Sequence, residues 1–599
     1  MGQMGSRASL DPASLQILMS RLHGVAGEMS AVLRRAAFSP NIKERADFSC
    51  ALFSPAGEML SQAENIPVHL GSMPASVAAV IERFGDQDLA DGDTVIVNDP
   101  FSGGTHLNDI TLVSPCCDDG RLVGWVANRA HHADVGGAAP GSLPAEATDI
   151  YQEGLRVPPL RLSDDVVSLL VANSRTPDER LGDLDAQRGA NAVGVERLRG
   201  LAGEPFEEVL DYGERRMQFA LAALPQGIWK FEDVIESSGP AGDGKPSRVA
   251  VSVGIGDGSI TFDFEGTDPQ GHGNLNAVEA VTVSSVVFAL RSVLDPTIPA
   301  NGGALRPVRV LAPPGTLVSA LAPAAVGAGN LEVSQRVADV CLGALAQALP
   351  RAVGAASQGT MNNILVGGHA GGRPWVYYET VGGGQGGRPP RPVRVDRGIP
   401  GPSSIRSQPA SPGQLGPGTP SRSGIHTNMT NTVDEGHRSS VGVPGQSGIH
   451  TNMTNTSQVP TGQLGPGTPG QSGIHTCMTN TKNTPIEALE RAFPMRVLRQ
   501  RLRRGSGGAG WSAGGEGIER DLQVLVDATV SLITERRVSQ PWGLAGGEPG
   551  AVGENWLLPG GDEDRAERLP DKCTIQLKAG DVLRMLTPGG GGWGPPPID

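Results

Sequence analysis

VIVNDPFSGGTHLNDITLV, residues 95–113, reads as a strand, a glycine loop and a second strand; LVGWVANRAHHADVGG, residues 122–137, adds a third strand that runs into another glycine loop. The chain has only 11 histidines in 599 residues, and three of them fall here beside Asp109 and Asp134. His106 and Asp109 stand three residues apart at the start of one strand, and His131 and His132 close the next. Neighbouring strand ends bring such residues to one point. Imidazole nitrogen with carboxylate oxygen is a donor set that Zn, Mn or Fe(II) accepts, and two histidines with one carboxylate leave positions open for water or substrate. The residues therefore point to a metal on His106, Asp109 and one of the pair His131 and His132, with flanking glycines that allow close approach. Asp134 and Glu44 are further candidates as ligands or proton carriers. The spacing is none of the short zinc signatures such as HExxH, so the clustering carries the reading.

Outward from this hairpin the chain interleaves short helices and strands. Asp11 caps a helix whose Leu15, Leu18, Leu22, Val25, Met29, Val32, Leu33 and Ala36 recur at helical spacing. DFSCALFSPAGEMLSQ alternates around a Pro-Ala-Gly turn as a hairpin, and SMPASVAAVIERFG is the next helix. Residues 157–224 read as charged helices, and residues 248–264 as a hairpin turning at Gly256-Asp257-Gly258. Further helices are expected at NAVEAVTVSSVVFALRSVL and SQRVADVCLGALAQALP, with alternating strands and glycine turns from Gln523 onward. The fold class is mixed α and β (α+β) and multi-domain, because single cores split beyond ~250 to 300 residues. The expected division is an N-terminal α/β metal-site domain over 9–230, a central mixed α/β domain over 231–385, an insertion over 386–474 and a C-terminal β-rich domain over 475–599.

The insertion is a repeat. GQLGPGTPSRSGIHTNMTNT (413–432) returns as GQLGPGTPGQSGIHTCMTNT (462–481), with PGQSGIHTNMTNT (444–456) as a partial third copy. It carries no periodic apolar face, so it reads as a duplicated, disordered loop rich in Gly, Pro, Ser and Thr. Only the last copy, which holds His475, runs on into an apolar-periodic segment, and that copy is expected to occupy the native place.

Composition narrows the function. With 49 Lys and Arg against 63 Asp and Glu the formal charge is −14, which argues against a non-specific nucleic-acid binder. The arginine run RVLRQRLRRGSGG (496–508) reads as a solvated helix end leading into a glycine loop. Six scattered cysteines form no CxxC pair, and vicinal Cys116 and Cys117 read as packed thiols. There is no charged-then-apolar leader and no apolar run of ~18 residues, so a soluble cytoplasmic protein is expected. No GxxxxGK[ST] occurs, and GGGQGG and TPGGGGWG read as tight turns.

VNDPFSGGTHLNDITLVSP, AHHADVGGAAPGSLPAEATDIYQEGLRVPP, ERADFSCALF, IPVHLGSMP, GNLEVSQRVADV, HTCMTNTKNTPIE and TERRVSQPWGLAGGEPG together resemble the hydantoinase B/5-oxoprolinase family, which includes the acetone carboxylase large subunit. The resemblance implies a hetero-oligomer in which a hydantoinase A-type partner binds ATP with Mg and phosphorylates a small cyclic amide. This chain would then complete metal-assisted hydrolysis of the amide. The resemblance, and not the spacing, selects His131 over His132 and gives a divalent Mn, Zn or Fe site of His106, Asp109 and His131. Asp134, Glu44, His132 and His475 are then the candidates for catalytic proton transfer. The alternatives are a carboxylase-like chain whose metal serves ketone carboxylation and a non-catalytic scaffold.

Overall fold

A computed structural model describes residues 10–63, 65–85, 88–390 and 467–597. Its first helix, α1 (Pro12–Ala36), starts where expected: the Asp11 carboxylate accepts the amides of Ala13 and Ser14, and Pro12 occupies the first turn. After the short α2 (Pro40–Lys43) come β1 (Phe48–Phe53), β2 (Met59–Ala63), α3 (Met73–Phe84), β3 (Val95–Val97), β4 (Asp109–Asp118), β5 (Arg121–His131) and β6 (Leu160–Arg161). The six strands form one antiparallel sheet in the order β2-β1-β5-β4-β3-β6. Three helices follow, α4 (Asp164–Ala172), α5 (Pro177–Arg199) and α6 (Phe206–Ala222).

Both faces of this sheet are covered. Phe48, Cys50, Leu52, Val126 and Ala130 pack with α1 and α5, while Ala51, Phe53, Trp125 and Ala127 pack with α3. Successive residues of a strand point to opposite faces, so parity decides which layer a side chain meets. Asp109 and His131 are direct cross-strand partners and share the α3 face. His132 follows the parity of Ala130 and turns toward α5.

The next sheet orders β7 (Gly227–Ile235), β8 (Ser247–Gly256), β9 (Ser259–Asp263) and β10 (Val308–Leu311) as β10-β9-β8-β7, with β9 and β10 parallel. Asp257 and Gly258 make its tight turn with φ of 51° and 71°, the pair of positive values that a type I′ hairpin needs. Helices α7 (Glu279–Val293), α8 (Gly302–Leu305) and α9 (Ser334–Ala348) accompany it, and a π-helical turn, Gly329–Val333, opens α9. Ion pairs from Arg336 to Glu535 (3.3 Å) and from Arg536 to Asp339 (2.8 Å) tie the buried α9 to the C-terminal part.

That part holds β11 (Asn363–Ala370), β12 (Arg373–Thr380), α10 (Ile486–Ala492), β13 (Met495–Arg503), β14 (Gly517–Val524), β15 (Ala528–Ile533), β16 (Glu554–Leu558), β17 (Glu567–Leu569), β18 (Lys572–Leu577) and β19 (Val582–Leu586). Two sheets result, β12-β11-β15-β18 and β13-β14-β19-β16-β17. The arginine run expected as a helix end is instead the edge strand β13. Arg499, Arg501 and Arg503 alternate along it and pair with Glu519 and Glu554 on other strands of the sheet.

The glycine-rich segments are not merely tight turns. They lie backbone against backbone: Gly387 N donates to Gly591 O (2.8 Å), Gly515 N to Gln385 O (2.8 Å), Gly590 N to Gly515 O (2.9 Å) and Gly508 N to Gly590 O (2.8 Å). A Cβ on Gly590 would overlap the Gln385 carbonyl and stand 2.7 Å from the Gly386 amide nitrogen. Close approach, not a left-handed backbone, is what requires glycine there. Two of the three repeat copies, 413–432 and 444–456, lie outside the described residues. Residues 467–481 of the last copy are seated beside this glycine layer, where Ile474 pairs with Gly383 and Thr468 with Arg388. All six cysteines are free, and Cys116 is buried with its thiol on Val195 O. Among the described residues no helix is long and apolar enough to cross a membrane.

Candidate metal centre

The β4–β5 register places Asp109 opposite His131 at the end of the hairpin, and the turn before β4 adds His106, whose carbonyl accepts the Asp109 amide at 3.0 Å. Gly104 makes that turn possible, since a Cβ there would come within 2.7 Å of Asp99 O. Three donor atoms converge. His106 Nε2 is 3.2 Å from Asp109 Oδ1 and 3.2 Å from His131 Nδ1, and His131 Nδ1 is 3.3 Å from Asp109 Oδ1. A metal ~2.1 Å from each donor would hold them ~3.0 Å apart at right angles and ~3.4 Å apart in a tetrahedron, so the observed triangle fits a divalent ion. All three side chains are buried, and no other group of three such ligands is found among the described residues.

The second oxygen of Asp109 is held from behind. Thr105 Oγ1 donates to Oδ2 at 2.5 Å, and His69 Nε2 lies 3.6 Å away with its Nδ1 on Ser49 Oγ at 3.0 Å. Tyr378 stacks on the His131 ring with centroids 4.8 Å apart, and its hydroxyl donates to Asn363 Oδ1 at 2.9 Å. The Arg45 guanidinium covers Tyr378 at 4.6 Å. Supports of this kind fix the orientation of metal ligands.

Burial works against charge on His106, yet Asp109, with Asp47 and Glu153 behind it, holds its pKa above the ordinary histidine value. Burial likewise pushes Asp109 up, but His106 and the hydrogen bonds around it hold that carboxyl well below the usual range. His131 is lowered by burial, which Asp109 only partly offsets. Asp109 is thus held toward the carboxylate and His131 toward the neutral imidazole, the forms in which these side chains ligate a cation.

Asp109 and His131 open on a narrow cavity of about 20 Å³, lined also by Asp47, His69, Asn330, Met361, Thr380 and Met478 among others. Of the pair His131 and His132, the structure brings only His131 to the cluster. His132 Nε2 meets Gln187 Oε1 on α5 at 2.9 Å, and burial followed by Arg180 lowers its pKa to about 3. Asp134 organises the loop after β5, accepting the amides of Gly136, Gly141 and Arg175 and pairing with the Arg175 guanidinium at 2.9 Å. Glu44 caps α2, half-buried, and does not line the cavity. His475 stands one residue behind the wall, its Nε2 on Thr380 Oγ1 at 3.0 Å and Thr380 O at 3.1 Å. Sequence reading missed Asp47, His69, Asn330 and Tyr378. All but Tyr378 lie in motifs that carry the family resemblance, or beside one, but no spacing joins such distant positions to the hairpin.

Comparison with known proteins identifies the family. The family description Hydantoinase B/oxoprolinase matches residues 11–392 and 425–596. An uncharacterised protein of Methanocaldococcus jannaschii is 37% identical over 98% of this chain and 91% of its own length. 5-Oxoprolinase 1 of Arabidopsis thaliana is 32% identical over 98% of this chain but only 42% of its own, so the chain spans about two fifths of that relative. A protein of a Pseudomonas strain, named as the B component of a D-/L-hydantoinase, is 27% identical over 98% and 90% of the two lengths. In fold, the chain is similar to the ATP-dependent caprolactamase of Pseudomonas jessenii, with a TM-score of 0.78 at 24% identity over 99% of this chain and 93% of the other. It is also similar to acetone carboxylase, with a TM-score of 0.77 at 18% identity over 98% and 76%. The hairpin that carries the triad and nearly all of the described chain lie within the family match, and the chain belongs to the hydantoinase B/oxoprolinase family.

Proposed function

We infer that this chain is the B-type component of an ATP-dependent cyclic-amide hydrolase of the 5-oxoprolinase and hydantoinase kind. In this reading His106, Asp109 and His131 hold a divalent Mn, Zn or Fe ion, and a separate hydantoinase A-type chain binds ATP with Mg. The observation that carries it is the buried triangle of 3.2 to 3.3 Å edges, a donor set spaced for a cation, with Asp109 and His131 on the cavity wall. The relatives supply the reaction class. One relative that matches nearly end to end is named as a hydantoinase B component, and the longer 5-oxoprolinases carry this chain as two fifths of their length.

When bound, such an ion polarises a carbonyl and lowers the pKa of a neighbouring water. The chain's own residues do the rest. Ile66, Val68, Leu331, Met361 and Met478 give the cavity apolar walls that exclude bulk water. Met361 and Met478 have flexible side chains that can make room for a ring. His69, oriented by Ser49, presents Nε2 beside Asp109 and can hold a proton there, and Asp47 adds a second carboxylate to the wall. His475 acts through Thr380, while His132 and Asp134 set the frame of the β5 loop.

ATP-dependent ring opening of 5-oxoproline by the full chain with an A-type partner tests the reading. Turnover that needs both chains supports it. Carboxylation of acetone by the same mixture, with no ring opening, would replace it with the carboxylase alternative, and neither activity would leave the scaffold.

A further inference from the structure

Asn330 stands on the cavity wall with half of its carboxamide unused. It sits in the π-helical turn Gly329–Val333, and turns of this kind recur at functional sites. The turn is fixed in place. Gly329 N donates to Asn274 O and to Val326 O, each at 3.1 Å, a side chain on Gly329 would run into the Asn276 backbone, and Ser334 Oγ donates to Asn330 O at 2.8 Å. The Asn330 side chain is 3% exposed. Its Nδ2 reaches Asp109 Oδ2 at 3.5 Å, the outer limit of a hydrogen bond, and its buried Oδ1 has no hydrogen-bond partner among the described residues. The cavity wall includes Leu331, Met361 and Met478, whose side chains offer no donor, and none of its Thr, His or Tyr side chains bonds Oδ1. A buried amide oxygen left without a donor is unfavourable, and each such case in a native protein calls for an explanation.

Resting on the reading of the site as a cyclic-amide hydrolase, we propose that Asn330 orients the substrate: Oδ1 accepts the ring N–H of a cyclic amide and turns its carbonyl edge toward His106, Asp109 and His131. A small ring holds its amide cis, so N–H and C=O leave from the same edge. An open-chain amide is trans and presents them on opposite edges. One acceptor beside the triad therefore favours rings over linear amides without any contact to the rest of the ring.

The test is binding of two probes, 2-pyrrolidinone and N-methyl-2-pyrrolidinone, to the metal-loaded full chain by titration calorimetry. The wild type binds the N–H lactam about tenfold tighter or more, the effect of one hydrogen bond to an otherwise unsatisfied buried acceptor. Asn330→Leu keeps the bulk and removes the acceptor, so the ratio falls to near one while metal content stays the same. Asn330→Ala also removes the acceptor, so it should bring the ratio to near one, and it carries the test if the leucine variant does not fold. Equal binding of the two probes by the wild type, no binding of either, or a preference that survives in Asn330→Leu would overturn the proposal. The hydrolase reading fails separately: a lactam preference lost in Asn330→Leu, with no ring opening beside partner and ATP, sinks that reading and leaves the N–H contact standing.

Discussion

Replacing Gly590 by Ala tests whether the glycine layer is a packed core. The added methyl would overlap the Gln385 carbonyl and stand 2.7 Å from the Gly386 nitrogen, all backbone atoms that no rotamer change can move aside. Overpacking of this kind costs ~1 to 3 kcal/mol. The shift also strains two hydrogen bonds, Gly590 N to Gly515 O and Gly508 N to Gly590 O, worth about 1 kcal/mol each. The total is about 3 to 5 kcal/mol. At ~2.1 cal/mol/K per residue a chain of 599 residues unfolds with roughly 1.3 kcal/mol/K, so the melting temperature falls by about 3 °C. Gly254→Ala is the reference, because a Cβ there meets nothing within 4 Å and its backbone is ordinary strand. Differential scanning calorimetry of both variants reads the result. A Gly590→Ala melting temperature equal to that of Gly254→Ala would refute the packing account.

Three further outcomes follow from particular residues. Cys477 adopts φ of 56°, a left-handed backbone that asparagine tolerates better, and the other repeat copies carry Asn428 and Asn452 at that place; Cys477→Asn should stabilise the protein by up to about 1 kcal/mol in denaturant unfolding, and a loss of stability would contradict this. Burial, with Glu535 nearby, pushes Glu332 up to about 8, so its folded pKa lies above its unfolded one. Its contribution is complete below the unfolded value and is lost as pH rises toward 8, at up to about 1.4 kcal/mol per unit, so Glu332→Gln should gain on the wild type between pH 6 and 8, and parallel stability curves would count against it. Because Arg388 and Thr468 already hydrogen-bond to each other, replacing residues 391–466 by a short glycine-serine linker should leave the fold intact and add at most about 2 kcal/mol, whereas insoluble protein would show that the repeats are needed.

The hairpin at the centre of the site was legible because its strands are continuous apolar runs and its polar residues gather at one end. From spacing alone the choice between His131 and His132 was not. It depends on register, and a bulge between Cys116 and Cys117 shifts the pairing by an amount that no local pattern reveals. Asp47, His69, Asn330 and Tyr378 come from a loop, a 3-10 turn, a π-helical turn and another sheet, so only the tertiary fold unites them. The arginine strand was hidden by its charges: Arg499, Arg501 and Arg503 do alternate, but alternation of ion-paired residues does not look like the apolar pattern of a strand. The glycine runs were misread because single-sequence rules treat glycine as punctuation, and here it permits backbones to touch.

The most direct measurement is metal content by elemental analysis of four purified proteins: wild type, Asp109→Ala, His131→Ala and His132→Ala, each checked for folding by circular dichroism. The account predicts about one divalent ion per chain in the wild type and in His132→Ala, and loss of it in the other two, because only His131 shares a face with Asp109. A folded His131→Ala that keeps its metal, a folded His132→Ala that loses it, or a wild type that binds none would contradict the assignment of the site.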